Sequence, residues 1–359
     1  MPESPPPEKR EILDTVAALM APGAGGPEDF EAAALRLFAY QFEAVAALGA
    51  FWRSLAATPE TVRRSADIPP VPLAAFKRRV IYGGGPPVRT FRTSGTSGRG
   101  RGSAPFDADD LALMDRSILA NAGAHLFADG ARARFFMLVP PPEEAPEVIM
   151  AYGMRVIADR FGLGEPFYAV RRGVLELEAG LETLAAWRRE KDPVCLVGGS
   201  FGFVNFMDAA AGRRPGPLPE GSRLLDAGGF KGRSRELDRT AFVAEASGFF
   251  GLDPDRCYNL YGLTELASQF YSRNRGPKVP PPWARARVVD PLTLEEVLPG
   301  RTGVPLLLDL ANVSRPMAVL TDDIAVNLGG GRFDVVGRAS GAAPRGCSLS
   351  LEEVRPCGR

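Results

Sequence analysis

The stretch "FEAAALRLFAYQFEAVAALGAFWRSL" sets apolar residues three and four positions apart, the repeat of an amphipathic helix, and this pattern predicts a mostly helical segment over residues 9–66. After it the rhythm changes. "IPPVPLAAFKRR" (68–79) is a stiff entry segment, because each proline fixes its own backbone angle. "PVRTFRT" reads as a short strand, and "SAPF" resumes extended chain after a glycine-rich loop. "DADDLALMDRSILANAGAHLF" then reads as a helix, with Asp107 as its N-cap and acidic residues in its first turn. Two apolar runs, "RARFFMLVP" (132–140) and "DPVCLVGGSFGF" (192–203), have the character of buried strands. The helical stretches "EVIMAYGMRVIADRFG" and "LEAGLETLAAWRREK" lie between them. "SRLLDAGGF", "RCYNLYG", "AVLTDDIAV" and "RFDVVGR" predict further strands, and "RNRGPKVPPPW" (273–283) an exposed loop. Strands alternating with helices imply an α/β protein.

Composition narrows the function. The chain has 359 residues, 45% of them hydrophobic, enough for one large body with internal lobes. Lys plus Arg and Asp plus Glu both number 43, so the net charge is zero, and neither a nucleic acid nor an anionic membrane is the expected partner. "MPESPPPEKREIL" lacks the basic-then-apolar pattern of a signal peptide, and no apolar run approaches the ~20 residues that cross a bilayer. A soluble cytoplasmic protein is the expectation. The four cysteines (Cys195, Cys257, Cys347 and Cys357) show no CxxC spacing, and His125 is the one histidine, which argues against a Cys/His zinc site and a Ser-His-Asp triad. His125 reads as structural, and Cys195 and Cys257, in apolar strand-like runs, read as core.

The chemistry-bearing segment is "TFRTSGTSGRGRGS" (90–103). It is not a Walker A loop, since Gly100 is followed by Arg101 and Gly102 rather than by Lys and a hydroxyl residue. Nor is it a dinucleotide fingerprint, because the glycines do not open a helix. Glycine amides, hydroxyls and arginines together suit phosphate oxygens, and they equally suit a surface turn. The loop joins two short strands on this reading.

"TSGTSGRGRG" resembles the phosphate-binding signature of the adenylate-forming (acyl-AMP-forming) ligase superfamily. "NLYGLTELASQF" (259–270) is similar to its Tyr-Gly-x-Thr-Glu motif, and "LTDDIAV" followed by "FDVVGR" is similar to its Thr-Gly-Asp…Gly-Arg pair. The three occur in the superfamily's order. Within it the chain resembles the acyl-protein synthetase (LuxE) family, through "IPPVPLAAFK" (68–77), "RTSGTSG" (92–98), "GGFKGR" (228–233) and "GRASGAAPRGCSLSLEE" (337–353). The resemblance implies an α/β fold with a large adenylate-forming N-terminal domain of layered sheets and helices and a strongly truncated C-terminal domain. The implied division is a helical segment at 1–66, an adenylate-forming core at 67–337, and a vestigial C-terminal segment at 338–359.

The resemblance also implies roles. Thr93, Ser94, Gly95, Thr96, Ser97 and Gly98 would hold the β- and γ-phosphates of ATP. Thr264 would meet the α-phosphate, and Glu265 would hold Mg²⁺. Gly228, Gly229 and Phe230 would line the adenine side, Tyr261 and the adjoining Gly262 would flank the ring, Asp322 would accept the ribose hydroxyls, and Arg338 would support the nucleotide. Taken singly, Glu265 reads better as a helix N-terminal charge and Asp322 as a solvated turn residue, and it is the joint order of the motifs that favours the nucleotide roles. The family places a Lys after the last loop glycine, where this chain has Arg99 and Arg101. It also places a catalytic Lys near the C-terminus, which this chain lacks, and Lys231 is the candidate substitute cation.

Cys347 lies just before Ser350 and Glu353, a capping-box pattern, with Arg345 nearby, a setting that lowers a thiol pKa. The resemblance makes it the acceptor of the acyl group, for delivery to an acyl reductase or other acyl-transfer protein. The implied substrate is a carboxylic acid, fatty or otherwise apolar. Phe201, Phe203 and Phe206 either line its pocket or pack in the core. Two other functions stay open: direct transfer to CoA, an amine or a carrier protein, and a non-catalytic nucleotide-binding scaffold.

Overall fold

The helical periodicity of the N-terminal region resolves into three helices, Pro7–Leu19, Pro27–Ala44 and Ala46–Ser54, in a computed structural model that describes residues 5–93, 101–228 and 235–338. Proline opens the first two, where its missing N–H costs nothing. The second and third meet at a 105° bend and bury Phe38 against Trp52, ring centroids 4.6 Å apart. No single helix among the described residues is long and apolar enough to cross a membrane.

The chain forms two compact units. The first comprises the chain up to Ala120, Leu263–Phe270 and the described residues from Pro277 onward; the second comprises Asn121–Gly262 and Tyr271–Gly276. The first unit holds the three N-terminal helices and a six-stranded sheet. Its centre is Thr302–Asp309, flanked on one side by Ala284–Val289 and on the other by Ala318–Leu320 and then Asp323–Asn327, all antiparallel to it. Phe333–Arg338 continues the sheet beyond Asp323–Asn327, and Val71–Pro72 adds in parallel to Ala318–Leu320. A separate hairpin pairs Arg89–Arg92 with Ser103–Phe106.

The second unit is built on a mainly parallel sheet. Its spatial order is Phe270–Arg273, Cys257–Tyr261, Arg223–Ala227, Val194–Gly199, Arg134–Leu138 and Phe167–Tyr168. Helices Ile149–Phe161, Leu177–Glu190, Ser200–Ala209 and Arg239–Phe250 make the connections. Every residue of Val194–Gly199 and all but the first of Arg134–Leu138 are buried, which is why these strands read as apolar runs; Arg223–Ala227 is wholly buried as well, although it carries Arg223 and Asp226.

Several expectations hold and several are revised. Helix Ala108–His125 starts where its N-cap predicts: Asp107 Oδ1 accepts from the Asp110 N–H at 2.9 Å. The run at 192–203 is a strand only to Gly199, and Phe201, Phe203 and Phe206 lie on the helix that follows. Phe203 meets the rings of Phe242 and Phe250, and Phe206 those of Phe136, Phe249 and Phe250, so both are core. "AVLTDDIAV" is two strands broken at Thr321–Asp322. The loop at 273–283 is not exposed throughout, because Lys278 and Trp283 are buried. His125 is half-buried and stacks on Tyr271, centroids 5.4 Å apart, which suits a structural role.

Candidate active site

In the first unit, the glycine-rich segment is carried by the 89–106 hairpin. The strand pairing ends at Arg92↔Ser103, and one more rung follows: the Thr93 N–H donates to Gly102 O at 2.9 Å, and the Gly102 N–H donates to Thr93 Oγ1 at 2.8 Å. A side chain at 102 would press within 3.1 Å of Phe76 O and Thr93 Oγ1, so anything larger than glycine would push these neighbours back by a few tenths of an ångström. Thr93 is buried with its hydroxyl engaged in closing the hairpin. Ser94, Gly95, Thr96, Ser97 and Gly98 lie outside the described residues.

Thr264 and Glu265 are both buried and sit in a turn closed by the Leu266 N–H on Leu263 O at 3.1 Å. No helix begins here, so Glu265 is not a helix N-terminal charge. The turn is held by two residues that the sequence reading missed. Asp309, fully buried at the end of the central strand, accepts from the Ala267 N–H at 2.8 Å, the Ser268 N–H at 2.7 Å, the Ser268 hydroxyl at 2.6 Å and the Ala311 N–H at 3.0 Å. Burial pushes its pKa up, and these four donors oppose that shift. Asn312 donates to Glu265 O at 2.9 Å and to Pro316 O at 3.0 Å. Gln41, from helix Pro27–Ala44, donates to the carbonyls of Asn312, Val313 and Arg315 and accepts from the Met317 N–H. An N-terminal helix therefore holds the loop that holds the Glu265 turn. An acid ending an apolar run, as in "VPLLLDL", was the signal for Asp309; for Asn312 and Gln41 there was none.

Asp322 is half-buried at the break between strands, and Asp323 beside it is buried. The register sets Asp323 opposite Arg338, so "LTDDIAV" and "FDVVGR" are neighbouring antiparallel strands. Val71–Pro72, from "IPPVPLAAFK", pairs with Val319–Leu320 immediately before this break.

A second network joins Lys9 to the start of helix Ala108–His125. Its ammonium lies 2.6 Å from Asp107 and 3.1 Å from Asp110, all three side chains being buried. Burial pushes the Lys9 pKa down, but Asp110 and Asp107 more than reverse this and leave it raised.

The second unit gathers polar groups at the carboxyl ends of its parallel strands, where open α/β sheets bind ligands. Asp226, buried, accepts from the Ser200 hydroxyl and Asn259 Nδ2, each at 2.7 Å, and pairs with Arg239 Nη1 at 2.5 Å. Ser200 also donates to Gly228 O at 3.0 Å. Gly228 has φ +75°, a left-handed conformation that favours glycine, with open space where a side chain would project. Tyr261 ends its strand half-buried, and Gly262 follows it. Gly229, Phe230 and Lys231 lie outside the described residues. So does Cys347. Cys195 and Cys257 are buried in strands, and burial pushes each thiol up to about 12, so neither forms a thiolate near neutrality.

The fold is that of adenylate-forming ligases. A 2-hydroxyisobutyryl-CoA ligase, solved in an open conformation with 2-HIB-AMP and CoA, superposes with a TM-score of 0.61 at 15% identity, over 87% of this chain and 75% of that one. The McyG A-PCP structure with phenylalanyl-adenylate gives a TM-score of 0.51 at 15% identity, over 73% of this chain and 42% of that one. The acyl-protein synthetase, LuxE, family model matches residues 167–355, more than half of the sequence, and the chain belongs to that family. By class it is an ATP-dependent acyl-adenylate-forming ligase. The long-chain-fatty-acid–luciferin-component ligase of Vibrio harveyi is 24% identical over 311 residues, 82% of this chain and 80% of that protein. The protein of the same name from Aliivibrio fischeri is 27% identical over 199 residues, 52% of each chain.

Proposed function

We propose that the protein activates an apolar, fatty-type carboxylic acid with ATP and carries the acyl group on Cys347 to a partner reductase or other acceptor. The substrate carboxylate attacks the α-phosphorus, the bond to the bridging oxygen breaks, and pyrophosphate leaves with its electron pair, giving acyl-AMP. The Cys347 thiolate then attacks the acyl carbon and expels AMP; the thiol proton goes to solvent. Two anions meet in the first step, so the work is screening and alignment rather than proton transfer.

In this reading the Thr93–Ser97 segment cradles the β- and γ-phosphates, Thr264 meets the α-phosphate, and Asp322 takes the ribose hydroxyls. Glu265 would hold Mg²⁺, which supplies charge neutralisation on the phosphates when bound. Glu265 is a buried carboxylate, the hard oxygen donor that Mg²⁺ takes, with phosphate and water completing the shell. The observation that carries the reading is the buried turn bearing Thr264 and Glu265, clamped onto the central strand by Asp309 and Asn312. For the acyl acceptor, elimination narrows the choice: Cys195 and Cys257 are buried and protonated, which leaves Cys347, and second to it Cys357 near the end of the sequence.

Acid-dependent exchange of labelled pyrophosphate into ATP, screened over fatty and aromatic acids, tests the first step. Glu265→Gln is expected to lower that exchange by about 100-fold or more. Intact-mass analysis after incubation with ATP and the best acid tests the second. A covalent acyl adduct lost in Cys347→Ser supports the reading, whereas product formed only with CoA or an amine, without adduct, refutes the carrier role.

A further inference from the structure

Arg315 is buried, 2% exposed, in the loop between Asp309 and strand Ala318–Leu320. Its guanidinium lies over the Phe106 ring at 3.7 Å, and Nη2 donates to Asn312 Oδ1 at 2.7 Å. Nε and Nη1 have no hydrogen-bond partner among the described residues. Phe106 ends the hairpin strand Ser103–Phe106, and Asn312 donates to Glu265 O. One flat cation thus touches the hairpin with its face and the anchor of the Glu265 turn with its edge.

Charge alone does not account for an arginine here. Burying a cation is costly, and the buried carboxylates of Asp110 and Asp309 in its field offset part of that cost. Burial lowers its pKa to about 10, which still leaves it charged at neutral pH, with Asp110, Asp309 and Glu265 among its neighbours in the field. Lysine would keep the charge, but it cannot stack and donate in plane at the same time. The geometry of a planar fork is what the position uses.

We infer that Arg315 is a positioning residue for acid activation, bracing the hairpin at Phe106 against the Thr264–Glu265 turn through Asn312. The inference rests on the function proposed above. It assigns Arg315 the register between two elements that meet the same nucleotide, so its loss weakens ATP handling before it weakens acid handling.

The test is steady-state pyrophosphate exchange by Arg315→Lys and Phe106→Leu, with KM for ATP and for the acid measured separately and folding checked by circular dichroism and thermal melting. Arg315→Lys is expected to raise KM for ATP about tenfold, from loss of a charged hydrogen bond and a stacked contact, with KM for the acid unchanged. Phe106→Leu is expected to shift the same parameter in the same direction by less. A merely structural role would reduce the fraction of active enzyme and leave both KM values alone. Folded variants with wild-type KM for ATP overturn the inference, and if Arg315→Lys does not fold, Phe106→Leu decides it. Absence of exchange by the wild-type protein would instead refute the adenylation reading, so the two failures are distinguishable.

Discussion

Each unit uses a buried aspartate as an anchor, and the two do it differently. Asp309 in the first unit takes three backbone N–H groups and one hydroxyl. Asp226 in the second takes side chains: Ser200, Asn259 and the Arg239 guanidinium. A carboxylate that binds backbone fixes the path of the chain whatever residues are strung along it. A carboxylate that binds side chains depends on three particular residues, and its charge is balanced by a cation. The first arrangement suits a turn whose own side chains are reserved for chemistry, as Thr264 and Glu265 are proposed to be. The second suits the interior of a parallel sheet, where side chains from neighbouring strands and helices serve as struts.

The strongest way to break this comparison is Asp309→Asn. The amide nitrogen would face N–H donors, leaving buried donors unsatisfied, and a loss of about 3–4 kcal/mol of stability is expected, read from the urea midpoint at constant slope. Asp226→Asn is expected to cost less, about 1–3 kcal/mol, because the remaining oxygen still accepts and Arg239, partly exposed, can turn to water. Equal losses in the two variants would remove the distinction between backbone and side-chain anchoring.

A surface carboxylate in the second unit sharpens the contrast at its weak end. Asp129 pairs with Arg223 at 3.2 Å and Arg256 at 3.0 Å. Burial raises its pKa, but hydrogen bonds from Arg223, Arg256 and the Ala131 N–H together more than reverse this and bring it down to about 2. Its folded value lies below the unfolded value of about 3.9, so its contribution is complete above that pH and fades as pH falls toward 2. Solvent screening keeps the effect small. The urea midpoint of wild type should fall over this range more steeply than that of Asp129→Asn; parallel profiles would show that the pair contributes nothing.

Much of this was legible beforehand, because it depends on local order. Helix Ala108–His125 was marked by Asp107, which caps it in fact, and strands Arg134–Leu138 and Val194–Gly199 were marked by apolar runs that burial on both faces demands. The glycine hairpin was visible from its flanking strands. Helix Ser200–Ala209 was obscured because its wholly buried phenylalanines continue the apolar run of the strand before it, leaving no periodicity to separate them. Strands Ala284–Val289 and Thr302–Asp309 and helix Arg239–Phe250 were not anticipated from the sequence.

Residue order alone determined the motifs, their succession, and the family they point to, because glycines, hydroxyls and carboxylates with a shared chemistry announce themselves by type and spacing. Only the tertiary structure decided which residues hold them. Gln41 reaches Asn312, 271 positions away, and Asp309 grips backbone amides that carry no sequence signature. Such contacts are made by residues brought together from far apart along the chain, and no local pattern encodes a partner that folding alone delivers.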